Sequence, residues 1–178
     1  MSKIAVLCND GVEEIECLTV VDFCRRAGIE VITVSVTGKR QIMGAHQIVF
    51  HADEVYADMN FDEFDGIVYP GGPGTGAMGE KPGVKELAQK FLNNGKMLAA
   101  ICAAPGMISE TGILKEKHAT GYPGCKPEGG AIWSEDAAVV DGNLVTGKGP
   151  GAAAEFAIEI IRYLAGDIKA EQIRTSTM

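Results

Sequence analysis

The sequence predicts an α/β fold in which a mostly parallel sheet is covered by helices on both faces. Apolar segments typical of strands alternate with amphipathic segments typical of helices along the whole chain. The strand segments are short and apolar throughout, which is the pattern of parallel strands buried on both faces. We expect one domain over residues 1–178, because 178 residues with 46% hydrophobic content suffice for one buried core and the composition does not change along the chain.

The elements are predicted from apolar periodicity and from the glycines that end helices. In chain order they are a strand "KIAVLC", a helix "VEEIECLTVVDFCRRAG", a strand "EVITVSV", a hairpin excursion "RQIMGAHQIVFHAD", a strand "FDGIVYPGG", a helix "GVKELAQKFLNNG", a strand "KMLAAI", a short helix after Cys102, a strand around "HATGYP", a hairpin turning at "VVDGNLVTG" and a last helix "GAAAEFAIEIIRYLAG".

Charge and cysteine content exclude several classes of function. The formal charge of -8 disfavours nucleic acid and anionic membranes, which require a positive surface, and leaves a small molecule or a protein as the expected partner. No apolar run is long enough to span a bilayer and the N-terminus lacks the layout of a signal peptide, so a cytoplasmic protein is expected. The five cysteines show neither CxxC spacing nor clustered histidines; we expect reduced thiols and no metal site.

Cys102 lies where an apolar strand ends and a helix begins. The segment from Ala100 to Ala104 resembles a nucleophile elbow, in which small flanking residues allow a sharp turn, although alanines replace the usual glycines. A thiol at a helix N-terminus meets free N–H groups, so this position predicts a lowered thiol pKa and a reactive cysteine. The alternative is a small core residue, and we assign that interpretation to the other cysteines: Cys8, Cys17, Cys24 and Cys125.

Glu16 is the second unusual position. On a helical wheel it lies near the centre of an apolar stripe, whereas Glu14 falls on the opposite, solvent-facing side and Glu13 near the edge. A carboxylate facing a core must be paired, metal-bound or protonated, and burial raises its pKa. Glu16 is therefore predicted to be a proton donor or shuttle, with a carboxylate satisfied by backbone N–H groups as the structural alternative.

Several motifs, in order over nearly the whole chain, resemble the DJ-one/ThiJ/PfpI superfamily and specifically the branch of the Parkinson-disease protein and its bacterial relatives. They are "GVEEIE", "RRAGIEV", "YPGG", "LAAICAAP" and "GKGPGAAAEFA". The resemblance implies a flavodoxin-like three-layer sandwich, a homodimer, Cys102 as the nucleophile and Glu16 as the protonated acid beside it. It also implies that the backbone N–H groups of Gly72 and Ala103 form an oxyanion pocket, where preorganised donors stabilise developing charge.

The sequence departs from other branches of the superfamily at positions that bear on the chemistry. The protease-like branch has a histidine after the nucleophile, where this chain has Ala103, so neither a protease nor an amidotransferase is expected. Tyr122 occupies the place of the histidine that completes a triad in other members. His118, four residues upstream, is displaced along the predicted strand, and His46 and His51 are expected to be exposed polar residues or dimer contacts.

A GxGxxG pattern at residues 74–79 follows a strand but does not predict a dinucleotide site. The helix of a true fingerprint contains the last glycine, whereas "EKPG" still precedes the predicted helix here. Flavin is equally unsupported, because the acidic "NDGVEE" loop would repel a phosphate. No cofactor is expected.

Two functions remain open on these residues. The first is a cofactor-free, cysteine-dependent glyoxalase or deglycase that acts on a small reactive dicarbonyl or on a glycated protein. The alternative is an oxidative-stress sensor or redox-gated chaperone without turnover, in which oxidation of Cys102 is the signal. In both cases we expect a homodimer with the first helix and the hairpin of residues 39–51 near the two-fold axis.

Overall fold

The computed structural model describes residues 1–177. The strands are β1 Lys3–Cys8, β2 Glu30–Ser35, β3 Gln41–Met43, β4 Val49–His51, β5 Glu54–Val55, β6 Gly66–Tyr69, β7 Met97–Ile101, β8 His118–Ala119, β9 Ile132–Trp133, β10 Ala138–Asp141 and β11 Leu144–Gly147. The helices are α1 Glu14–Arg26, α2 Thr75–Gly79, α3 Val84–Asn93, α4 Ala104–Ser109, α5 Ala153–Ala165 and α6 Asp167–Thr177. Within the described residues no helix is long and apolar enough to cross a bilayer.

The central sheet has seven strands in the order β10-β11-β7-β6-β1-β2-β5. All neighbouring strands are parallel except the edge pair β10 and β11. The predicted α/β sandwich with a mostly parallel sheet is therefore confirmed. Strands β3 and β4 form the predicted hairpin outside this sheet.

Alternation along the strands divides the interior into two cores. In β1, Ile4, Val6 and Cys8 face the core beneath α1 and α5, whereas Ala5 and Leu7 face the core beneath α3 and α4. Successive side chains of a strand point to opposite faces, so a strand covered on both faces has to be apolar throughout. This requirement explains why the central strands could be predicted from their apolar sequences.

Several segments differ from the predicted elements, among them the short strands β5 and β9, which were not predicted. The strand around "HATGYP" contains only His118–Ala119 and pairs with β9 in a separate two-stranded sheet. Residues 75–79, predicted as loop, form the short helix α2. The helix α6 was not predicted, because its sequence is polar; it is held by burial of Ala170 and Ile173 and by two hydrogen bonds from Arg174 to Glu155 on α5.

The parallel arrangement brings the carboxyl ends of β1, β6 and β7 to one edge of the sheet. The loop of residues 9–11 follows β1, Pro70 to Gly72 follow β6, and Cys102 follows β7. Ligands of open α/β sheets bind at this edge, outside the carboxyl ends of the strands.

Candidate active site

Cys102 occupies a strained turn between β7 and α4. Its φ of 63° lies in the left-handed region, which costs a residue other than glycine on the order of 1–3 kcal/mol. The turn is fixed on both sides: the Cys102 amide donates to the carbonyl of Gly147 at 2.9 Å, and the Tyr122 amide donates to the carbonyl of Cys102 at 2.8 Å. Pro105 lies in the first turn of α4, where its missing N–H leaves no helical bond unmade. This geometry is that of a nucleophile elbow.

Glu16 lies in the first turn of α1 and is completely buried. Its backbone N–H donates to the side chain of Glu13, which caps the helix, at 2.9 Å. The Gly71 N–H donates to Oε2 of Glu16 at 2.8 Å, and the Cys102 thiol adjoins the same carboxyl group, whereas Oε1 accepts no hydrogen bond of ordinary geometry from residues 1–177. The carboxyl group is therefore held in place by one oxygen while the other remains available for a proton.

Gly71 separates Cys102 from Glu16 and has no room for a side chain. A Cβ atom at Gly71 would lie 2.6 Å from Cβ of Cys102 and 2.8 Å from Oε2 of Glu16. The next residue, Gly72, has a φ of 108°, and a Cβ there would lie 2.5 Å from the backbone nitrogen of Glu13. Two successive glycines are thus required because backbone from three elements meets at this point.

The sulfur of Cys102 interacts with Glu16 and with two backbone donors. Burial, followed by the charge of Glu16 and hydrogen bonding to it, raises the pKa of Cys102 to about 12; the N–H groups of Gly72 and Ala103 lower the pKa. The prediction of a lowered thiol pKa is therefore wrong, because burial and the adjacent carboxylate outweigh the amide donors.

The pKa of Glu16 also departs from its ordinary value. Burial raises it to about 7, although hydrogen bonds from Cys102 and Gly71 lower it and the charge of Glu13 raises it further. Because each charge disfavours the other, Cys102 and Glu16 together hold at most one negative charge at neutral pH. A carboxylate with a pKa near 7 is suited to take the thiol proton as the sulfur attacks.

The structure brings together the four residues singled out from sequence: Cys102, Glu16, Gly72 and Ala103. Within residues 1–177, no histidine joins these four residues. Tyr122 is half exposed and contacts Cys102 through its backbone, while His118 is exposed and its amide donates to Asp141.

Two residues that contribute to the site were missed. Glu13 caps the helix and raises the pKa of Glu16, and Gly71 orients the Glu16 carboxyl. Glu13 stands three residues before Glu16, which is the usual spacing between a helix-capping side chain and the N–H that donates to it. This spacing could have predicted the cap from the sequence. The motif "YPGG" predicted that Gly71 lies at the sheet edge, but it did not indicate what Gly71 does there.

Glu14 and Cys125 differ from their predicted environments. Glu14 was expected to face solvent but is buried, because the turn between β3 and β4 folds over it. There the amide of His46 donates to Oε1 of Glu14 at 2.7 Å, and Nδ1 of His46 lies 2.8 Å from Oε2. Cys125 was expected in the core but is exposed, since it follows Pro123 in a surface turn.

A cleft of about 520 Å³ lies beside the elbow and is lined in part by Tyr122, Lys148 and Pro150. One wall is the segment at Tyr122, whose amide donates to the Cys102 carbonyl. Another wall is the loop that follows β11. A space of this size accommodates a small carbonyl compound or one modified side chain of a protein.

Known proteins share the sequence and the fold of this chain. The sequence model of the DJ-1/PfpI family matches residues 2–163. The chain belongs to the DJ-1/PfpI family. Protein dj-1beta of Drosophila melanogaster is 38% identical over 97% of this chain and 95% of its own length, and its crystal structure superposes with a TM-score of 0.92 over 99% of this chain and 97% of that one, at 36% identity.

Two further relatives carry the names of enzymes. The glutathione-independent glyoxalase DJR-1.2 of Caenorhabditis elegans is 32% identical over 97% of this chain and 93% of its own length. A deglycase of Pyrococcus abyssi is 31% identical over 91% of this chain and 99% of its own length. Enzymatic activity is thus represented in the DJ-1/PfpI family among close relatives of this chain.

The crowding at Gly71 predicts opposite effects for two Gly→Ala substitutions. Gly71→Ala forces a methyl group against Cys102 and Glu16 and should lower the free energy of unfolding by about 1–3 kcal/mol. Gly76→Ala, in α2 with nothing within 4 Å of the added carbon, should leave the stability unchanged or raise it by about 0.5–1 kcal/mol. Urea unfolding measures both. Equal stabilities for the two variants would show that the close approach at Gly71 is not a constraint.

The pair of Glu14 and His46 predicts a pH-dependent contribution to stability. Burial opposes ionisation of Glu14, but hydrogen bonds from His46 outweigh it and lower the pKa of Glu14 below 4.5; the same contact raises the pKa of His46 above 6.5. The Glu14 contribution is lost as pH falls through its lowered pKa, and the His46 contribution is lost as pH rises through its raised pKa. Both are present between about pH 4.5 and 6.5.

His46→Gln should therefore destabilise the protein most within this window, and the difference from wild type should narrow above neutral pH. His51→Gln, which replaces an exposed histidine on β4, is the matched control. Thermal unfolding from pH 4.5 to 8.5 measures the effect. A difference that stays constant over this range would contradict the ionic interpretation.

Proposed function

We propose that this protein is a cofactor-free, cysteine-dependent enzyme of the glyoxalase or deglycase type, with a reactive dicarbonyl or its adduct on a protein as substrate. The observation that carries the proposal is the contact of the Cys102 thiol with a buried carboxyl group, Glu16, whose pKa is raised to about 7. The names of the glyoxalase and deglycase relatives favour the same reaction class.

The first step is addition of the sulfur to an aldehyde carbon. Glu16 takes the thiol proton as the S–C bond forms, and the aldehyde oxygen becomes an alkoxide that the N–H groups of Gly72 and Ala103 stabilise before it is protonated. The product is a hemithioacetal. The raised thiol pKa does not prevent this step, because the base adjoins the nucleophile and accepts its proton during attack.

The second step moves a proton between neighbouring carbons. Glu16 first gives the thiol proton to the alkoxide and is ionised again. With methylglyoxal as substrate, it then removes the proton from the carbon bound to sulfur and adds it to the former ketone carbon, while the hydroxyl proton of the first carbon passes to the former ketone oxygen, which gives the thioester of lactate. Water then cleaves the thioester, releases lactate and restores the thiol. The balance is one methylglyoxal and one water for one lactate, and no cofactor is needed.

Tyr122 affects the expected rate. It stands where the family resemblance implies a triad histidine in some other members, so among the described residues of the site Glu16 is the general acid and base that we propose, and slow turnover is expected. The cleft lined by Tyr122 and Lys148 is the space that we propose for the part of the substrate that does not react.

The proposal predicts that the purified protein converts methylglyoxal to lactate without glutathione. Cys102→Ala should abolish the activity, Glu16→Gln should lower kcat by about 10²-fold or more through loss of the base, and Cys125→Ala, which removes the exposed thiol, should retain it. The rate should rise as pH passes about 7, since Glu16 must be ionised to accept the proton. Equal lactate formation by wild type and Cys102→Ala would exclude the proposal.

A redox sensor or chaperone is the second candidate, favoured by the two N–H donors at the sulfur of Cys102, which would also stabilise the oxygens of a sulfinate. Peroxide treatment distinguishes the two functions. It should abolish lactate formation by an enzyme, whereas for a sensor it should create an activity, such as suppression of client aggregation, that the reduced protein lacks.

We also propose a homodimer that covers α1 and the β3–β4 hairpin. Both elements expose large apolar side chains: Ile15 and Leu18 on α1, and Met43, Ile48 and Val49 on the hairpin. The Glu14–His46 contact joins the two elements, so these side chains contribute to one surface. A surface of this kind on a soluble protein is typical of an interface.

Light scattering at micromolar concentration should return twice the monomer mass of 18.8 kDa. Ile48→Glu places a charge in the apolar surface and should shift the protein toward the monomer, whereas Ile168→Glu, at an exposed position on α6, should leave the dimer intact. A monomeric wild-type protein, or equal dissociation of both variants, would contradict this interface.

A further inference from the structure

Cys8 and Cys17 form a pair of thiols that the proposed reaction does not use. Cys8 is the last residue of β1, and Cys17 lies in the first half of α1. Their sulfur atoms are 3.5 Å apart, and both residues are completely buried. The Cys8 sulfur also lies 3.5 Å from the carbonyl of Val6, so one thiol is able to donate to the backbone while the other donates to its neighbour.

We propose that Cys8 and Cys17 are a redox-active dithiol that closes to an intramolecular disulfide when the protein is exposed to hydrogen peroxide. The sulfur atoms must approach from 3.5 Å to about 2.05 Å. A movement of about 1.5 Å is within the reach of side-chain rotation combined with a small shift of a helical turn. The inference depends on this geometry and is independent of the proposed catalytic activity.

The chemistry balances with peroxide as the oxidant. One thiolate attacks a peroxide oxygen, the O–O bond breaks, and a sulfenic acid and hydroxide form. The thiolate of the second cysteine then attacks the sulfenic sulfur and expels hydroxide as the S–S bond forms. In total, two thiols and one hydrogen peroxide give one disulfide and two waters. Peroxide suits a buried pair, because it is close to water in size and adds no bulky group in the intermediate.

The burial of the pair determines the order of oxidation. Hydrogen bonding to Cys17 and burial raise the pKa of Cys8 well above its ordinary value, and the backbone hydrogen bond of Val34, which lowers the pKa, does not offset them. Formation of the thiolate therefore requires α1 to open transiently near its N-terminus. The disulfide should form more slowly than the oxidation of Cys102.

The disulfide would fix the position of the Glu16 carboxyl group. Cys17 directly follows Glu16, and its N–H donates to the carbonyl of Glu13, which caps the same turn. A covalent bond from Cys17 to the end of β1 joins this turn to the sheet edge where Cys102 lies. The modification would therefore stiffen α1 at the turn that carries the proton-accepting group.

The test uses full-length protein with Cys102→Ser and Cys125→Ser, which leaves the thiols of Cys8, Cys17 and Cys24. After peroxide treatment, the protein is denatured, alkylated with N-ethylmaleimide and weighed by mass spectrometry. The reduced protein should carry three maleimides, and the oxidised protein one, on Cys24. Oxidation should raise Tm by on the order of 5 °C, and dithiothreitol should reverse both changes.

Cys17→Ser in the same background is the matched control, since it keeps Cys8 and Cys24 but removes the pair. It should carry two maleimides before and after peroxide. Burial limits the access of peroxide to the two thiols, so a second sample is refolded from urea in the presence of peroxide. Three maleimides after such refolding, a peptide map that links Cys24 to either partner, or sulfinate on Cys8 or Cys17 in place of the disulfide would each overturn the proposal.

Discussion

The close approach of Cys102 and Glu16 across Gly71 is the constraint on which the site depends. The Cβ that a larger residue would add at Gly71 overlaps both side chains, while the Gly71 N–H holds one oxygen of the Glu16 carboxyl. The same residue thus provides the space between two reactive groups and fixes one of them. The strained backbone of Cys102 fixes the position of the thiol, and the helix cap at Glu13 fixes the first turn of α1, which carries Glu16.

This packing determines the electrostatics of the site. A thiol at a helix N-terminus would be acidic in water, but here burial and an adjacent carboxyl group raise its pKa to about 12. Burial also raises the pKa of Glu16 to about 7, and the pair holds at most one negative charge at neutral pH. In the mechanism that we propose, Glu16 takes the thiol proton within this contact, which links the reactivity of Cys102 to the position of α1.

The position of α1 depends in turn on the β3–β4 hairpin. The turn of the hairpin covers Glu14 and supplies His46 as its partner, which buries the first turn of the helix on the side away from the sheet. On the inner side the helix contacts the end of β1 through Cys17 and Cys8. The turn that carries Glu16 is thus held between a hairpin and a strand.

The sequence by itself determined the order of the main strands and longer apolar helices, the mostly parallel sheet and the anomalous positions of Cys102 and Glu16, because strand burial and helical periodicity are local patterns. It gave the wrong environment for Glu14, since a helical wheel assumes one buried side and cannot include a hairpin that packs on the other. It gave the wrong direction for the thiol pKa, because the helix N-terminus is visible in the sequence and desolvation is not. It left α6 unpredicted, since that helix depends on contacts with α5 and not on its own apolar pattern. The role of Gly71 and the contact of Cys8 with Cys17 were decided by tertiary structure alone, because both are distances between segments that meet only when the sheet and its helices have packed.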